Sequence, residues 1–175
     1  SGQICPVGAR LVVRHVFESR ETKPLEAVYA FGLPRDAALR QFRIEGPGFQ
    51  AHSELQPVAQ ARKKYEDGIE AGHLAALAQT YRDGRVNLAL GNLRTGERMV
   101  VFLEILAGIE SQDTGFRFRF PFTLPPTYHP EARYSESEPG VGEMELPESQ
   151  FGDLLLPPFH RNARNLHRVG FDLDV

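Results

Sequence analysis

Two carboxylates stand out because each breaks an apolar run: Glu26 in Leu25-Glu-Ala-Val-Tyr-Ala-Phe31, and Glu104 in Met99-Val-Val-Phe-Leu-Glu-Ile-Leu106. A carboxylate buried in such a strand must be paired, most simply by an arginine, or have its proton affinity raised. Pairing of this kind is usually structural, so Glu26 and Glu104 are read as buried structural carboxylates with no catalytic role. A hydrolase would need two carboxylates facing each other across a cleft, about 5 to 10 Å apart, and the sequence offers no second acid paired with either. Arg161, Arg164 and Arg168, with His160 and His167 beside them, could line one side of a short helical turn and grip a polyanion, and Arg117 and Arg119 would extend such a patch. A polar connection before a final strand accounts for the same residues more simply.

Other chemistry finds less support. The histidines at 15, 52, 73, 129, 160 and 167 form no short ligand pair, and His160 and His167 come closest. The P-loop, the Gly-x-Ser-x-Gly elbow, the His-Glu-x-x-His pair and the EF-hand loop are all absent. Gly46-Pro-Gly48 and Gly140-Val-Gly142 read as turns, since neither opens a helix after a strand. Between Glu131 and Glu148 six Glu face the single Arg133, but they are dispersed among Pro and Gly rather than spaced around a calcium turn. No catalytic residue, cofactor or metal site is therefore assigned.

The elements that must hold these residues are mostly strands. Arg10 to Phe17 is rich in β-branched and aromatic residues, and Glu26 to Phe31 reads as a second strand. From Ala38 to Ile44, Phe42 and Ile44 alternate with Gln41 and Arg43, and the Gly46-Pro-Gly48 turn leads back through Phe49 to Glu54. Pro57 suits the first position of a helix and Gly72 the left-handed residue after its end. Between them Val58, Ala61, Tyr65 and Ile69 form one stripe, opposite Lys63, Lys64, Glu66, Asp67 and Glu70, which predicts an amphipathic helix over 57–71.

A period of two returns in Leu74 to Tyr81 and in Val86 to Leu90, with Asp83-Gly84 between them as a hairpin turn. Met99 to Leu106 is apolar on both faces except at Glu104, as in a strand at the middle of a sandwich. Phe116, Phe118, Phe120 and Phe122 alternate with Arg117, Arg119 and Pro121, which predicts a buried phenylalanine face. Eight of the 13 prolines lie between Pro121 and Pro158, so 121–158 reads as an extended, acidic, solvated excursion. Order is expected to return in a strand over about 167–175, through Val169, Phe171, Leu173 and Val175. The expected fold is an antiparallel β-sandwich-like domain of eight or nine strands with one helix laid on it, forming one domain over 1–175 with its core in 10–130.

Composition narrows the function classes. A chain of 175 residues with 41% hydrophobic and 25% charged residues has enough apolar content for a true core. Lys+Arg 20 against Asp+Glu 23 leaves a net charge of -3, without the global positive field that dedicated nucleic-acid binding uses. Seventeen of the 20 basic residues are Arg, a bias typical of a GC-rich genome. No stretch approaches the roughly 18 apolar residues of a spanning helix, so direct membrane insertion is not expected. Cys5 is the single cysteine and makes no internal disulfide. A start at Ser1-Gly2 with no apolar leader reads as a piece of a longer chain; the compartment stays open, with an extracytoplasmic or membrane-anchored parent favoured.

Three blocks in order carry a family resemblance: Pro24-Leu-Glu-Ala-Val-Tyr-Ala-Phe-Gly-Leu-Pro34; Ala61-Arg-Lys-Lys-Tyr65 leading to Gly72-His-Leu-Ala-Ala-Leu77; and Gly91-Asn-Leu-Arg-Thr-Gly96. With the Phe120-Pro121 pair they resemble the vault protein inter-alpha-trypsin (VIT) domain, over roughly residues 10 to 130. The resemblance implies an antiparallel sandwich with one helix, and a non-enzymatic module that usually precedes a von Willebrand factor A domain, in bacterial relatives among others. It defines no catalytic residues, and the partner domain's Asp-x-Ser-x-Ser metal motif has no match here. The expected function is protein–protein interaction or scaffolding, with a protein partner or an adjacent domain of the same chain as the ligand. The alternatives are a carbohydrate or polyanion binder using the arginines and, less favoured, a hydrolase. An open strand edge would also let two copies pair weakly.

Overall fold

The computed structural model describes residues 1–34, 36–81, 84–121, 131–147, 152, 154–160 and 170–175. The architecture is mostly β, with one helix. Six strands form the larger sheet: β1 (Gly2–Cys5), β2 (Gly8–Glu18), β4 (Ala38–Gly46), β5 (Phe49–His52), β8 (Arg98–Ala107) and β14 (Leu173–Asp174), in the order β14-β1-β2-β8-β4-β5. A three-stranded sheet places β7 (Arg85–Leu93) between β3 (Leu25–Gly32) and β6 (Ala75–Thr80). Two ribbons complete the description: β9 (Glu110–Gln112) with β10 (Gly115–Arg117), and β12 (Val141–Glu145) between β11 (Arg133–Glu138) and β13 (Phe159–His160).

Alternation explains why the two main sheets face each other. Met99, Val101, Leu103 and Ile105 of β8 turn inward with Leu11 and Ile44, and Val86, Leu88, Leu90 and Phe31 come to meet them from the smaller sheet as one cluster. Val86, Leu88, Leu90, Met99, Val101, Leu103 and Ile105 are completely buried. Each such side chain contributes about 1.5–3 kcal/mol relative to exposure. β8 is central in its sheet, flanked by β2 and β4, as its two-sided apolarity predicts.

The helix α1 (Val58–Glu70) covers the far face of the smaller sheet, against β6 and β7. Tyr65 is its buried residue, while Val58, at the start of the predicted stripe, is 59% exposed. Pro57 sits one residue outside the helix, at the N-cap with ψ 140°, and Gly72 takes the left-handed conformation after the end with φ 73°. Asn92 of β7 ties that end down: its Nδ2 donates to the carbonyls of Ile69 at 2.9 Å and His73 at 2.8 Å. The helix can lie this close because β7 carries Gly91, where a Cβ would stand 2.6 Å from Ile69 and 3.2 Å from the Tyr65 hydroxyl.

Several expectations are corrected. The described residues hold fourteen strands rather than eight or nine, because β1, β9, β10, β13 and β14 are pairs of two to four residues, too short to show a period. The phenylalanine face does not form as predicted: β10 stops at Arg117, Phe116 is 58% exposed, only Phe118 and Phe120 reach the core, and Phe122 lies outside the described residues. Within the acidic excursion, residues 133–145 pair as a hairpin whose first strand is solvent-exposed and whose second is partly buried, turned at Pro139-Gly140 where Gly140 adopts φ 79°. The last strand is only Leu173–Asp174, added parallel to β1, and residues 167–169 lie outside the described part.

Gly91→Ala is expected to destabilise the domain by about 1–3 kcal/mol, since the new methyl group must displace the Ile69 side chain or the helix that carries it. Urea unfolding checks this; an unchanged midpoint would mean that the helix does not sit where the structure puts it.

Candidate functional site

The outward face of the larger sheet is built by the even-numbered residues of β8 and their cross-strand neighbours. Val100, Phe102, Glu104 and Leu106 stand opposite Val16, Arg14, Val12 and Arg10 of β2. On the other side they meet Glu45, Arg43 and Gln41 of β4. The result is an apolar stripe rimmed by arginines. Val16 and Leu106 are each 43% exposed, and the Arg43 guanidinium lies 4.3 Å above the Phe102 ring while also meeting Glu45 at 3.2 Å.

Glu104 occupies the middle of this face and is 7% exposed. Its Oε1 accepts from Arg10 Nε at 2.8 Å and from Arg40 Nη1 at 2.6 Å, and its Oε2 accepts from Gln41 Nε2 at 2.8 Å. Arg40 and Gln41 are consecutive, and simple alternation would place them on opposite faces. A register shift between Leu39 and Gln41 brings both onto Glu104. Hydrogen bonds and charge from Arg10 and Arg40 hold the Glu104 carboxyl below its usual range. It therefore stays ionised and saturated, a poor proton donor.

Glu26 departs from its predicted environment. It is exposed rather than buried, and its partner is not an arginine: the Tyr65 hydroxyl of α1 donates to it at 2.5 Å. Burial first, and then this bond, push the Tyr65 hydroxyl well above its ordinary value. Glu26 and Glu104 lie on different sheets, so the two do not form an acid–base pair.

Glu26 and Tyr65 belong to a second feature, a cleft of about 310 Å³ between α1 and the outer face of the smaller sheet. Asn87 of β7 forms part of its floor and is 7% exposed. With the carboxamide oxygen and nitrogen assigned from their hydrogen-bond partners, Asn87 donates to the Leu155 carbonyl at 3.0 Å and accepts from the Leu155 N–H at 2.8 Å. Asn87 escaped the sequence reading, although it interrupts an apolar run as Glu26 and Glu104 do and is subject to the same demand for a partner.

Arg117 and Arg119 border a wide depression of about 560 Å³ at one end of the sandwich, together with Asp36 and Glu110. The two acids offset the two arginines, so this depression lacks the charge excess of a polyanion site. Arg161, Arg164 and Arg168 lie outside the described residues. His15 is half-buried between the sheets, its ring 4.7 Å from Tyr29 and 6.0 Å from Phe31. Burial lowers the affinity of this imidazole for a proton. Among the described residues, no three His, Cys, Asp or Glu side chains gather where a metal could bind, and no helix is long and apolar enough to cross a membrane.

The vault protein inter-alpha-trypsin domain family matches residues 1–105. Human von Willebrand factor A domain-containing protein 5A is 32% identical over 115 residues, 64% of this chain and 15% of the human protein. The Rattus norvegicus protein of the same name is 30% identical over 115 residues, 64% of this chain and 14% of the rat protein. Protein mono-ADP-ribosyltransferase PARP4 of Mus musculus is 23% identical over 125 residues, 71% of this chain but 6% of that enzyme. These relatives are eukaryotic, and the chain spans only about a seventh of the two 5A proteins. No solved structure matches significantly.

Two pH windows follow. His15 binds a proton less readily folded than unfolded, so stability should fall as pH drops below about 6.5, the ordinary histidine value, and His15→Phe should flatten that limb. Glu104 releases its proton more readily folded, so its contribution is present above about 4.5 and lost as pH falls lower; Glu104→Gln should flatten that second limb and lower Tm at neutral pH. Thermal melts from pH 8 to pH 3 separate the two, and a variant that keeps its parent's limb refutes the assignment of that limb.

Proposed function

We propose, from the premise that the chain belongs to the vault protein inter-alpha-trypsin domain family, that it is a non-catalytic interaction module that docks against a neighbouring folded domain. The chain is read as one domain. The observation that carries this is the outer face of the larger sheet, which the described residues leave partly exposed and where Val16, Val100, Phe102 and Leu106 form an apolar stripe inside a rim of Arg10, Arg14, Arg40 and Arg43. Protein interfaces have this anatomy, with an apolar centre, arginine and aromatic anchors, and a polar rim. A catalytic site would instead converge in a pocket on groups of perturbed proton affinity. On this face the perturbed carboxylate, Glu104, is already occupied by three donors.

The partner is a von Willebrand factor A domain of the same parent protein. The names of the human and rat relatives support this reading. Pairing of two copies by strand addition at the exposed β5 edge is the competing use of the same sheet. The parent's reading frame is the first test, and absence of any such domain from it would overturn this choice of partner. With the domain supplied as a separate chain, Val16→Glu and Leu106→Glu should each weaken binding at least tenfold by calorimetry while leaving stability within about 0.5 kcal/mol. Equal binding by both folded variants would refute the use of this face.

A further inference from the structure

The cleft between α1 and the smaller sheet holds a piece of the chain's own backbone. Residues 154–158, Leu-Leu-Leu-Pro-Pro, lie outside any helix or strand, and Leu155 stands beside Asn87 and is 55% exposed. Asn87 uses both halves of its carboxamide on one residue's N–H and C=O. That is the pattern by which an added strand is recognised, with a side chain standing in for the neighbouring strand's backbone, and it reads the main chain without regard to side-chain identity. An amide buried in the middle of a central strand is costly unless satisfied, so the position is built around having an extended peptide opposite it.

The surroundings fit the same ligand. Val28, Ile69, Leu77 and Ala89 supply apolar lining, while Tyr65 donates to Glu26 and Arg62 Nη2 donates to Gln79 at 3.0 Å along the walls. Val28 remains 40% exposed, so Leu155 does not fill the apolar floor. The segment is a partial occupant, held at Leu155 by one pair of hydrogen bonds to a side chain.

We infer that this cleft is a binding groove for an extended, leucine-containing peptide of a partner protein, recognised through its main chain by Asn87, and that Leu154–Leu156 is an internal occupant the partner displaces. The groove lies on the opposite sheet from the docking face proposed above and stands or falls separately. The tethered occupant has an effective concentration on the order of millimolar, so a partner peptide must outcompete it. Weakening the tether should therefore expose the site.

The probe is a fluorescein-labelled peptide of residues 152–160, followed by anisotropy on the full chain. Leu155→Pro removes the N–H that Asn87 accepts, and this variant should bind the probe at least tenfold more tightly than the unaltered chain. A probe N-methylated at the Leu155 position keeps every side chain but loses the same donor, and it should bind the variant at least fivefold more weakly. Asn87→Leu in the Leu155→Pro background should abolish binding. Failure of the Leu155→Pro chain to bind while it melts natively, or equal affinity for the methylated probe, overturns the inference even if Asn87→Leu does not fold. A dimer of the unaltered chain in sedimentation that dissociates in Leu155→Pro would assign the groove to a second copy and equally overturn the partner reading.

Discussion

β8 cannot be placed anywhere but the middle of a sheet, and most of the domain is arranged around that restriction. Its inward residues Met99, Val101, Leu103 and Ile105 are fully buried, and its outward residues still include Val100, Phe102 and Leu106. Such a strand at an edge would present both an unpaired backbone and two apolar faces to water. β2 and β4 therefore cover its two sides over nearly its whole length, and the smaller sheet covers its inward face. Among the described residues the inner face is fully covered, while the outer face stays partly exposed.

The two sheets solve their outer faces differently. On the smaller sheet the centre strand β7 is buried on both sides, because α1 lies across it and Gly91 leaves room for Ile69 and Tyr65. On the larger sheet no described element of comparable size lies over β8; arginine stems cover part of the stripe, and Arg43 lies over Phe102. Glu104 is the electrostatic consequence. Arginines gathered around an apolar stripe repel one another, and a carboxylate in their midst, with two guanidinium groups 2.6 and 2.8 Å from one oxygen, offsets that repulsion. The negative charge stabilises the arginine rim as much as the rim stabilises the charge.

How much of this could be read from the chain depends on how far each determinant lies from its partner along the sequence. β2, β3, β4, the helix and the β6–β7 hairpin each carry their own period or turn residues, so the sandwich with one helix was legible from local pattern. The short ribbons were not, because two to four residues show no period and pairing alone defines them. The phenylalanine alternation misled for the complementary reason: a period of two says that residues share a face, not that anything packs on it. Glu26 and Glu104 show the same limit. Identical interruptions of an apolar run led one to a caged, buried carboxylate and the other to an exposed partner of Tyr65, because the difference lies in Arg10, Arg40 and Gln41, distant in sequence and aligned by a β-bulge.

Asn87 meets the same limit, with its partner Leu155 lying 68 residues further along the chain. A buried carboxamide has two donors and an acceptor to satisfy, and no residue of the surrounding sheet offers an N–H and a C=O side by side unless its backbone is unpaired. The backbone groups of β3 and β6 that face β7 are already paired with it. A suitable ligand is a backbone outside the sheet, in extended form and free of its own ladder, and Pro157 biases the preceding Leu156 toward the extended region. A polar residue in an apolar strand thus selects a ligand by conformation rather than by side chain, which is the property that separates a reusable peptide groove from a contact of the core.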